Sequence, residues 1–267
     1  MSAGAVARFR VAYGAHRAAE GRRHEGGELR ALPYLATGPL AKQWAVRART
    51  FDAFVDRVLA PMMQRSQAPV RVLDLGAGSG WLCRRMRLAG ADAVALDLRD
   101  DDVDGLGAAR RFGDGEEARF GRVAAAFDAL PVRDGAFDVA VFNASLHYAL
   151  DLRAVLGAAR RAVRAGGRIA ILDSPFYVTA AHGEAMVAEK RRESAARFGD
   201  RVDALSALPF IEYLTRERLA EASSALGVRW RRHRVRYPLW YELRPVVARL
   251  RGARQPSRFD LWEGVVG

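Results

Sequence analysis

A glycine-rich turn between two regular segments is the motif with the clearest chemical meaning. Residues 70–75 form a short apolar segment, Gly76–Gly80 follow as GAGSG, and residues 81–88 have helical character. A strand, a glycine turn and a helix in this order gather backbone N–H groups and a helix N-terminus at one point, and glycines let a ligand approach the backbone. The helix dipole favours an anion there, so the motif predicts a site for a carboxylate or a phosphate.

Two aspartates extend this motif. Asp74 lies two residues before the first glycine, and Asp97 ends a second apolar segment 23 residues after Asp74. A carboxylate at the end of the second strand can accept hydrogen bonds from ribose hydroxyls. The dinucleotide-binding fingerprint requires glycine at the position of Trp81, so a nucleotide-dependent oxidoreductase is a disfavoured alternative.

The elements that must position these residues alternate between strands and helices. Strands are predicted at 70–75, 93–97, 121–126, 137–142 and 168–172, and helices at 81–88, 105–112 and 151–164, the last closed by Gly166-Gly167. This alternation predicts an α/β fold with a mostly parallel sheet and helices on both faces. Two late strands, 227–237 and 258–266, bring the predicted sheet to seven.

The segments outside this core are predicted to be mainly helical. A helix is expected at 5–31 with a break at Gly26-Gly27, and a second at about 40–60 that ends at Pro61. Further helices are expected at 178–198, 215–226 and about 240–251. We therefore divide the chain into a helical cap (1–69), a binding core (70–175), a lid (176–214) and a C-terminal completion of the sheet (215–267). The aromatic residues Tyr34, Trp44, Tyr177 and Phe210 are candidates to line a pocket under the cap and lid.

Composition excludes several classes of protein. The 267 residues include a single cysteine, so an internal disulfide and a thiolate zinc site are excluded, and the scattered histidines predict no metal site. No apolar run approaches the ~18 residues of a transmembrane helix, and no signal peptide is evident, so we expect a cytoplasmic protein.

The net charge of +12 lies entirely in residues 1–70 and 174–267. Without a long basic run or an RNA-binding signature, this charge does not by itself indicate nucleic-acid binding.

The combined motifs resemble a known family. VLDLGAGSGW, AVALDL, FDALPVRDGAFDVAVFNASLHY and AVRAGGRIAILDSPFY are similar to class I S-adenosylmethionine-dependent methyltransferases, in particular the ubiquinone/menaquinone methyltransferase-like enzymes that act on small molecules. The resemblance runs from Val70 to about Pro175. It implies a Rossmann-like seven-stranded sheet, S-adenosylmethionine as the cofactor, S-adenosylhomocysteine as its product, and a small-molecule acceptor.

The resemblance also implies a role for each motif residue around the methionine and the ribose. The turn at Gly76, Ala77, Gly78 and Gly80 would lie against the methionine part of the cofactor. The acid at Asp74 would orient its amino end, and Asp97 would bind both ribose hydroxyls. The backbone carbonyl of Asn143 would accept from the cofactor's ammonium group.

Adenine recognition departs from the family pattern. Leu98 would pack on the adenine, but Ala126 occupies the position at which the family has an aspartate that accepts from the adenine amino group. Phe127 offers a backbone N–H and an aromatic face. Asp128 is a substitute acceptor if the loop is shifted.

Two residues are candidates for removing a proton from the acceptor. His147 follows the fourth predicted strand, where the family opens its active site, and a neutral imidazole suits a general base near pH 7. The alternative for His147 is a structural role at the start of a helix. Asp173 ends the fifth strand, at the edge where open α/β folds bind ligands, and is the second candidate, as a base or as an anchor for the acceptor.

Several questions about function and partners stay open from the sequence. A tRNA or rRNA methyltransferase is favoured only by the net charge, and a cofactor-binding protein without transfer activity is a further alternative. Residues 229–237 carry arginine on both faces, which predicts an edge strand protected by charge, whereas the following Leu239, Trp240 and Leu243 raise the alternative of an anionic partner or a membrane surface. The acceptor and the oligomeric state are not determined.

Overall fold

The computed structural model describes residue 24, residues 26–198 and residues 208–267. Seven strands form one sheet in the order β3-β2-β1-β4-β5-β7-β6. The strands are β1 (Arg71–Leu75), β2 (Asp92–Asp97), β3 (Gly121–Ala124), β4 (Phe137–Asn143), β5 (Val163–Leu172), β6 (Val228–His233) and β7 (Leu261–Val266). This sheet confirms the predicted fold class.

The direction of the strands sets where a ligand can bind. Strands β1 to β5 are parallel, and β7 is antiparallel to both β5 and β6. The chain order reverses between β1 and β4, which are neighbours in the sheet. Open α/β sheets bind ligands in the crevice at the carboxyl ends of strands where this reversal occurs. Strand β6 lies at the edge, as its charge pattern predicted.

Helices cover both faces of the sheet. They are α1 (Gly26–Ala31), α2 (Ala41–Phe54), α3 (Ala60–Arg65), α4 (Trp81–Leu88), α5 (Leu152–Ala162), α6 (Ala180–Phe198), α7 (Arg216–Ser223), α8 (Leu239–Glu242) and α9 (Arg244–Leu250). Short 3₁₀ segments lie at Leu106–Phe112, Glu116–Ala118 and Leu146–Tyr148. Within the described ranges, every helix is too short or too polar to cross a lipid bilayer.

Each face of the sheet has its own apolar core. Helices α2 and α4 pack on one face, where Trp44, Phe54 and Leu82 are buried with alternate residues of the strands. Helices α5 and α7 pack on the other face, with Leu156 and Leu219 buried. Side chains of a strand point alternately to its two faces, and burial of both faces is what makes the predicted strands continuously apolar.

Three predicted boundaries were wrong. Pro61 does not end the cap helix, because a π-helical turn at Val55–Leu59 precedes it and Pro61 lies in the first turn of α3, where a proline N–H is not needed. Gly26-Gly27 begins helix α1 instead of breaking one, and most of the predicted helix 5–31 lies outside the described residues.

The third boundary concerns Gly166-Gly167, which lie inside β5 because helix α5 already ends at Ala162. A Cβ at Gly167 would lie 2.6 Å from the Asp138 carbonyl oxygen, so the close approach of the two backbones requires glycine.

Candidate active site

One long cavity runs along the carboxyl edge of the sheet. Its wall is formed by five groups of residues: cap residues His24, Leu29, Leu32, Trp44 and Arg47; turn residues 76–79 with Trp81; residues 97–99, 103, 104 and 111 after β2; residues 126–128 after β3; and residues 143–145, 148, 150, 155, 208 and 210. One end therefore lies at the loops after β2 and β3, and the other at the loop after β4.

The glycine turn brings the backbone to the cavity. Gly76, Gly78 and Gly80 all have positive φ, which favours glycine. The amides of Gly76 and Ala77 both donate to the Leu96 carbonyl, at 2.8 and 3.0 Å, which ties the turn to the end of β2. A Cβ at Gly76 would lie 2.4 Å from Cβ of Ser145, so the turn sits against the loop after β4 with no room for a side chain.

Asp97 is the acid at the centre of the β2 end. Its Oδ2 accepts from the Gly78 amide at 2.8 Å, and its Oδ1 accepts from the Arg99 amide at 2.8 Å. Burial raises the pKa of Asp97, and these two N–H groups and the charge of Arg99 oppose that rise. Each carboxylate oxygen can accept a further hydrogen bond, and Asp97 is part of the cavity wall.

The loop after β2 carries site residues that sequence reasoning missed. Arg99 is buried and forms ion pairs with Asp101 at 2.7 Å and Asp104 at 3.2 Å. Arg99 and Asp104 both line the cavity. The signal was present as an arginine within the acidic run after Asp97, but such a run also suits a solvated loop.

The loops after β3 and β4 face the glycine turn. The ring of Phe127 comes within 3.6 Å of the position a Gly76 Cβ would occupy, and Ala126 and Asp128 line the cavity beside it. Asn143 also lines the cavity, and its Oδ1 is buried without a hydrogen-bond partner in the described part of the chain. A buried amide oxygen without a partner is costly, so it is suited to accept from a ligand.

Two predicted binding residues lie beneath the wall. Asp74 is buried under the turn, with the Cys83 thiol 3.6 Å from its Oδ2, and burial raises the pKa of Asp74 to about 8. Gly80 caps helix α4, and a Cβ there would lie 2.7 Å from the Phe120 ring. The structure places both residues where they support the turn from behind.

The far end of the cavity is aromatic and cationic. The Arg47 guanidinium lies 4.9 Å from the centre of the Trp44 ring, and both side chains line the cavity. Tyr148 and Phe210 line it as well, with their rings 5.5 Å apart and edge to face. Sequence reasoning identified the aromatic residues Trp44 and Phe210 as pocket candidates but did not identify Arg47 or Tyr148.

Two of the four predicted pocket aromatics lie elsewhere. Tyr34 is half exposed and donates to Asp52 Oδ1 at 2.8 Å. Tyr177 is buried, with its ring 6.0 Å from that of Tyr213. Neither residue is part of the cavity wall.

Neither candidate base is part of the cavity wall. His147 lies in the 3₁₀ turn after β4, where its carbonyl accepts from the Glu212 amide at 3.0 Å and its ring lies 4.3 Å from that of Tyr148. The adjacent residue, Tyr148, lines the cavity instead.

Asp173 is buried just behind the cationic end of the cavity. Burial raises its pKa to about 6, and the charge of Arg47 and a hydrogen bond from Thr50 oppose that rise. Its φ of +50° is uncommon for a residue other than glycine. Its place next to Arg47 suits the positioning of that cation.

Comparison with known proteins identifies the family. A methyltransferase-domain family matches residues 73–171. A malonyl-[acyl-carrier protein] O-methyltransferase of Pseudescherichia vulneris is 32% identical over 195 residues, which cover 73% of this chain and 68% of that protein. The chain belongs to the class I S-adenosylmethionine-dependent methyltransferases. This confirms the resemblance drawn from the motifs, and with it the prediction of an enzyme.

Further relatives of this methyltransferase differ in their named acceptors. A demethylmenaquinone methyltransferase of Thermus thermophilus is 35% identical over 113 residues, 41% of this chain and 49% of that protein. The crystal structure of magnesium protoporphyrin IX methyltransferase from Synechocystis superposes with a TM-score of 0.53 at 12% identity, covering 91% of each chain. That similarity shows the shared fold.

Proposed function

We propose that this methyltransferase binds S-adenosylmethionine along the cavity and transfers its methyl group to the carboxylate of a small acyl acceptor. The observation that carries the acceptor class is Arg47, a cation in the cavity wall whose charge acts on Asp173 after β5, three strands along the sheet from β2 and Asp97. The adenosine would lie at Asp97, Leu98, Phe127 and Asp128, and the methionine over the glycine turn. The relative named for O-methylation of a malonyl group supports an oxygen acceptor.

The described residues fit the cofactor on three observations. The Asp97 carboxylate, at the end of β2, would accept from the ribose hydroxyls, and the glycine turn at residues 76–78 brings backbone to the cavity wall, where the methionine part would lie. The unpartnered Oδ1 of Asn143 offers an acceptor for an ammonium group, in addition to the backbone carbonyl that the family uses. The buried acid Asp74 would support the glycine turn from beneath, where the methionine part of the cofactor would lie.

A carboxylate acceptor suits the groups at the far end. A carboxylate is ionised at neutral pH, so no residue has to remove a proton from it. Arg47 would hold the anion by a charge-assisted hydrogen bond, and Trp44 keeps the guanidinium over its ring. Among the described wall residues at this end, Tyr148 offers a hydroxyl to orient the acceptor.

When bound, S-adenosylmethionine supplies an electrophilic methyl group on a sulfonium. The protein's part is to orient the acceptor and to keep water out. Tyr148 and Phe210 form an aromatic wall that excludes water from the far end, and Arg47 fixes the anion. Positioning of this kind accounts for a large share of the rate in bimolecular reactions.

Release of S-adenosylhomocysteine from a panel of acceptors tests the proposal. We expect turnover with malonyl thioesters and other small carboxylates and none with matched methyl esters, amines or phenols. Arg47→Met keeps the side-chain stem over Trp44 and removes the charge, so the acceptor KM should rise at least about tenfold while S-adenosylhomocysteine affinity is unchanged.

Three outcomes contradict the assignment. A loss of S-adenosylhomocysteine affinity in Arg47→Met would indicate that Arg47 binds the carboxylate of the cofactor and not that of the acceptor. Calorimetric cofactor binding with no turnover on any acceptor would favour a non-catalytic binding protein, and methylation of RNA with steep salt dependence would favour a nucleic-acid substrate.

A further inference from the structure

Helices α8 and α9 turn an apolar stripe toward solvent. Leu239, Leu243, Val246, Val247 and Leu250 are all exposed, with Leu239 at 73% and Leu250 at 82% of full exposure, and Trp240 is exposed beside them. Their spacing is i, i+4, i+7, i+8 and i+11, which is one face of a helix. Large contiguous apolar surfaces exposed in this way mark sites of interaction.

Helix α8 is held on the protein by aromatic and polar contacts, and Arg244, the first residue of α9, joins them with its guanidinium 4.1 Å from the centre of the Tyr241 ring. Tyr241 is buried, with its ring 4.4 Å from that of Tyr237 and its hydroxyl accepting from the Phe259 amide at 3.2 Å. Arg258 donates to both carboxylate oxygens of Glu242 at 2.9 and 3.0 Å. The polar and aromatic side chains of α8 are thus the anchored ones, and the apolar side chains of α8 and α9 are exposed to solvent.

Positive charge surrounds the stripe. From Val228 to Arg258 the chain has ten arginines and a single acidic residue, Glu242. Arg231, Arg236, Arg249 and Arg251 are exposed, and none of them forms an ion pair with a described residue. A second copy of this chain would bring the arginines of both copies together, so self-association is disfavoured by repulsion.

The stripe lies at the same edge of the sheet as the cavity. Strand β6 runs parallel to β5, since both are antiparallel to β7, and it ends at His233, opposite Leu261, the first residue of β7. The segment from 234 to 260 therefore lies at the carboxyl edge. Thr50 and Tyr237, whose hydroxyls are 2.9 Å apart, connect it to helix α2 of the cavity wall.

We propose that helices α8 and α9 lie in the surface of an anionic lipid membrane. Leucine, valine and tryptophan on one face with arginines along the flanks is the composition of a helix that lies in the bilayer interface. Each arginine near an anionic surface adds about 1 kcal/mol of attraction, and long arginine side chains reach headgroups while the apolar face enters the acyl region. The orientation brings the cavity edge toward the bilayer.

Co-sedimentation of the full chain with lipid vesicles tests this proposal. We expect binding to phosphatidylcholine vesicles containing phosphatidylglycerol at least about tenfold tighter than to phosphatidylcholine alone. The double variant Leu243→Ser and Leu250→Ser should lose at least about tenfold in affinity for the anionic vesicles. Its matched control is Leu88→Ser, which removes an exposed leucine at the end of α4.

A second pair of variants tests the contribution of the arginines to binding of anionic vesicles. The double variant Arg249→Glu and Arg251→Glu should abolish the preference for phosphatidylglycerol, whereas Arg133→Glu, in the loop before β4, should leave it intact. Melting temperatures establish that each variant is folded. Vesicle binding unaffected by the serine variants would overturn the proposal, as would binding to an acidic protein or to RNA without binding to vesicles.

Discussion

The carboxylate of Asp97 accepts a hydrogen bond from the Gly78 amide at 2.8 Å, which joins the end of β2 to the glycine turn after β1. The same carboxylate holds the Arg99 amide with its other oxygen. The acid assigned to the ribose is therefore also a structural link between two loops of the cavity. Its substitution affects both the hydrogen bonds to a ligand and the shape of the turn.

Asp97→Ala should weaken S-adenosylhomocysteine binding by about 2–4 kcal/mol, which is more than tenfold in affinity. The loss has two physical sources, the missing acceptors for the ribose and a looser turn. Asp92→Ala is the control, since Asp92 begins the same strand, is exposed and pairs with Arg87. Calorimetry on both variants measures the effect, and unchanged affinity in a folded Asp97→Ala protein contradicts the assignment.

Gly76→Ala should abolish cofactor binding and destabilise the fold. The substitution places a Cβ 2.4 Å from Ser145 Cβ, in addition to the cost of about 1–2 kcal/mol for an L-residue at positive φ. Gly38→Ala is matched, because Gly38 also has a positive φ, of +86°, but a Cβ there meets nothing within 4 Å. Thermal melting should show a clearly larger loss for Gly76→Ala; equal losses would mean that the turn can move away from Ser145.

His147→Gln should lower kcat by less than about tenfold and leave the pH profile of kcat unchanged. The His147 ring lies outside the cavity wall, and a carboxylate acceptor requires no base. The hypothesis that His147 is the base predicts a loss of ~10²–10⁴ and the disappearance of one limb of the profile. His24→Gln is a useful comparison, since His24 does line the wall.

Stability should fall as pH rises from about 4 to about 8. Burial raises the pKa of Asp173 to about 6 and that of Asp74 to about 8, so the folded protein holds protons that the unfolded chain releases near pH 4. The slope reaches about 1.4 kcal/mol per pH unit for each such proton.

Above pH 6 the group with the larger rise, Asp74, dominates this effect. Asp74→Asn should therefore flatten the dependence of the unfolding free energy on pH between 6 and 8. Asp114→Asn, at an exposed position, should keep the slope of the wild type. Denaturant titrations across this range measure both, and a wild-type slope in Asp74→Asn would show that Asp74 is ionised in the folded state.

The sequence by itself determined the parts of this protein that depend on local pattern. Neighbouring residues specify the strand, the glycine turn and the helix around residues 70–88. The place of Asp97 at the carboxyl edge of the sheet follows because Asp97 ends its strand. The order of these elements predicted the parallel sheet, and the resemblance of the motifs indicated the methyltransferase family. The predicted boundary at Pro61 was wrong because a proline is also tolerated in the first turn of a new helix, and the one at Gly167 was wrong because a tertiary contact with Asp138 places this glycine inside β5.

Only the tertiary structure decided which of two neighbouring side chains enters the cavity. Tyr148 lines the wall and His147 does not, although they are adjacent, because successive residues of a turn point in different directions and packing selects between them. Arg47 comes from a helix far from the motifs in the chain, and only folding brings it to the far end of the cavity. The exposure of the stripe on α8 and α9 was decided in the same way, by the burial of Tyr241 in α8.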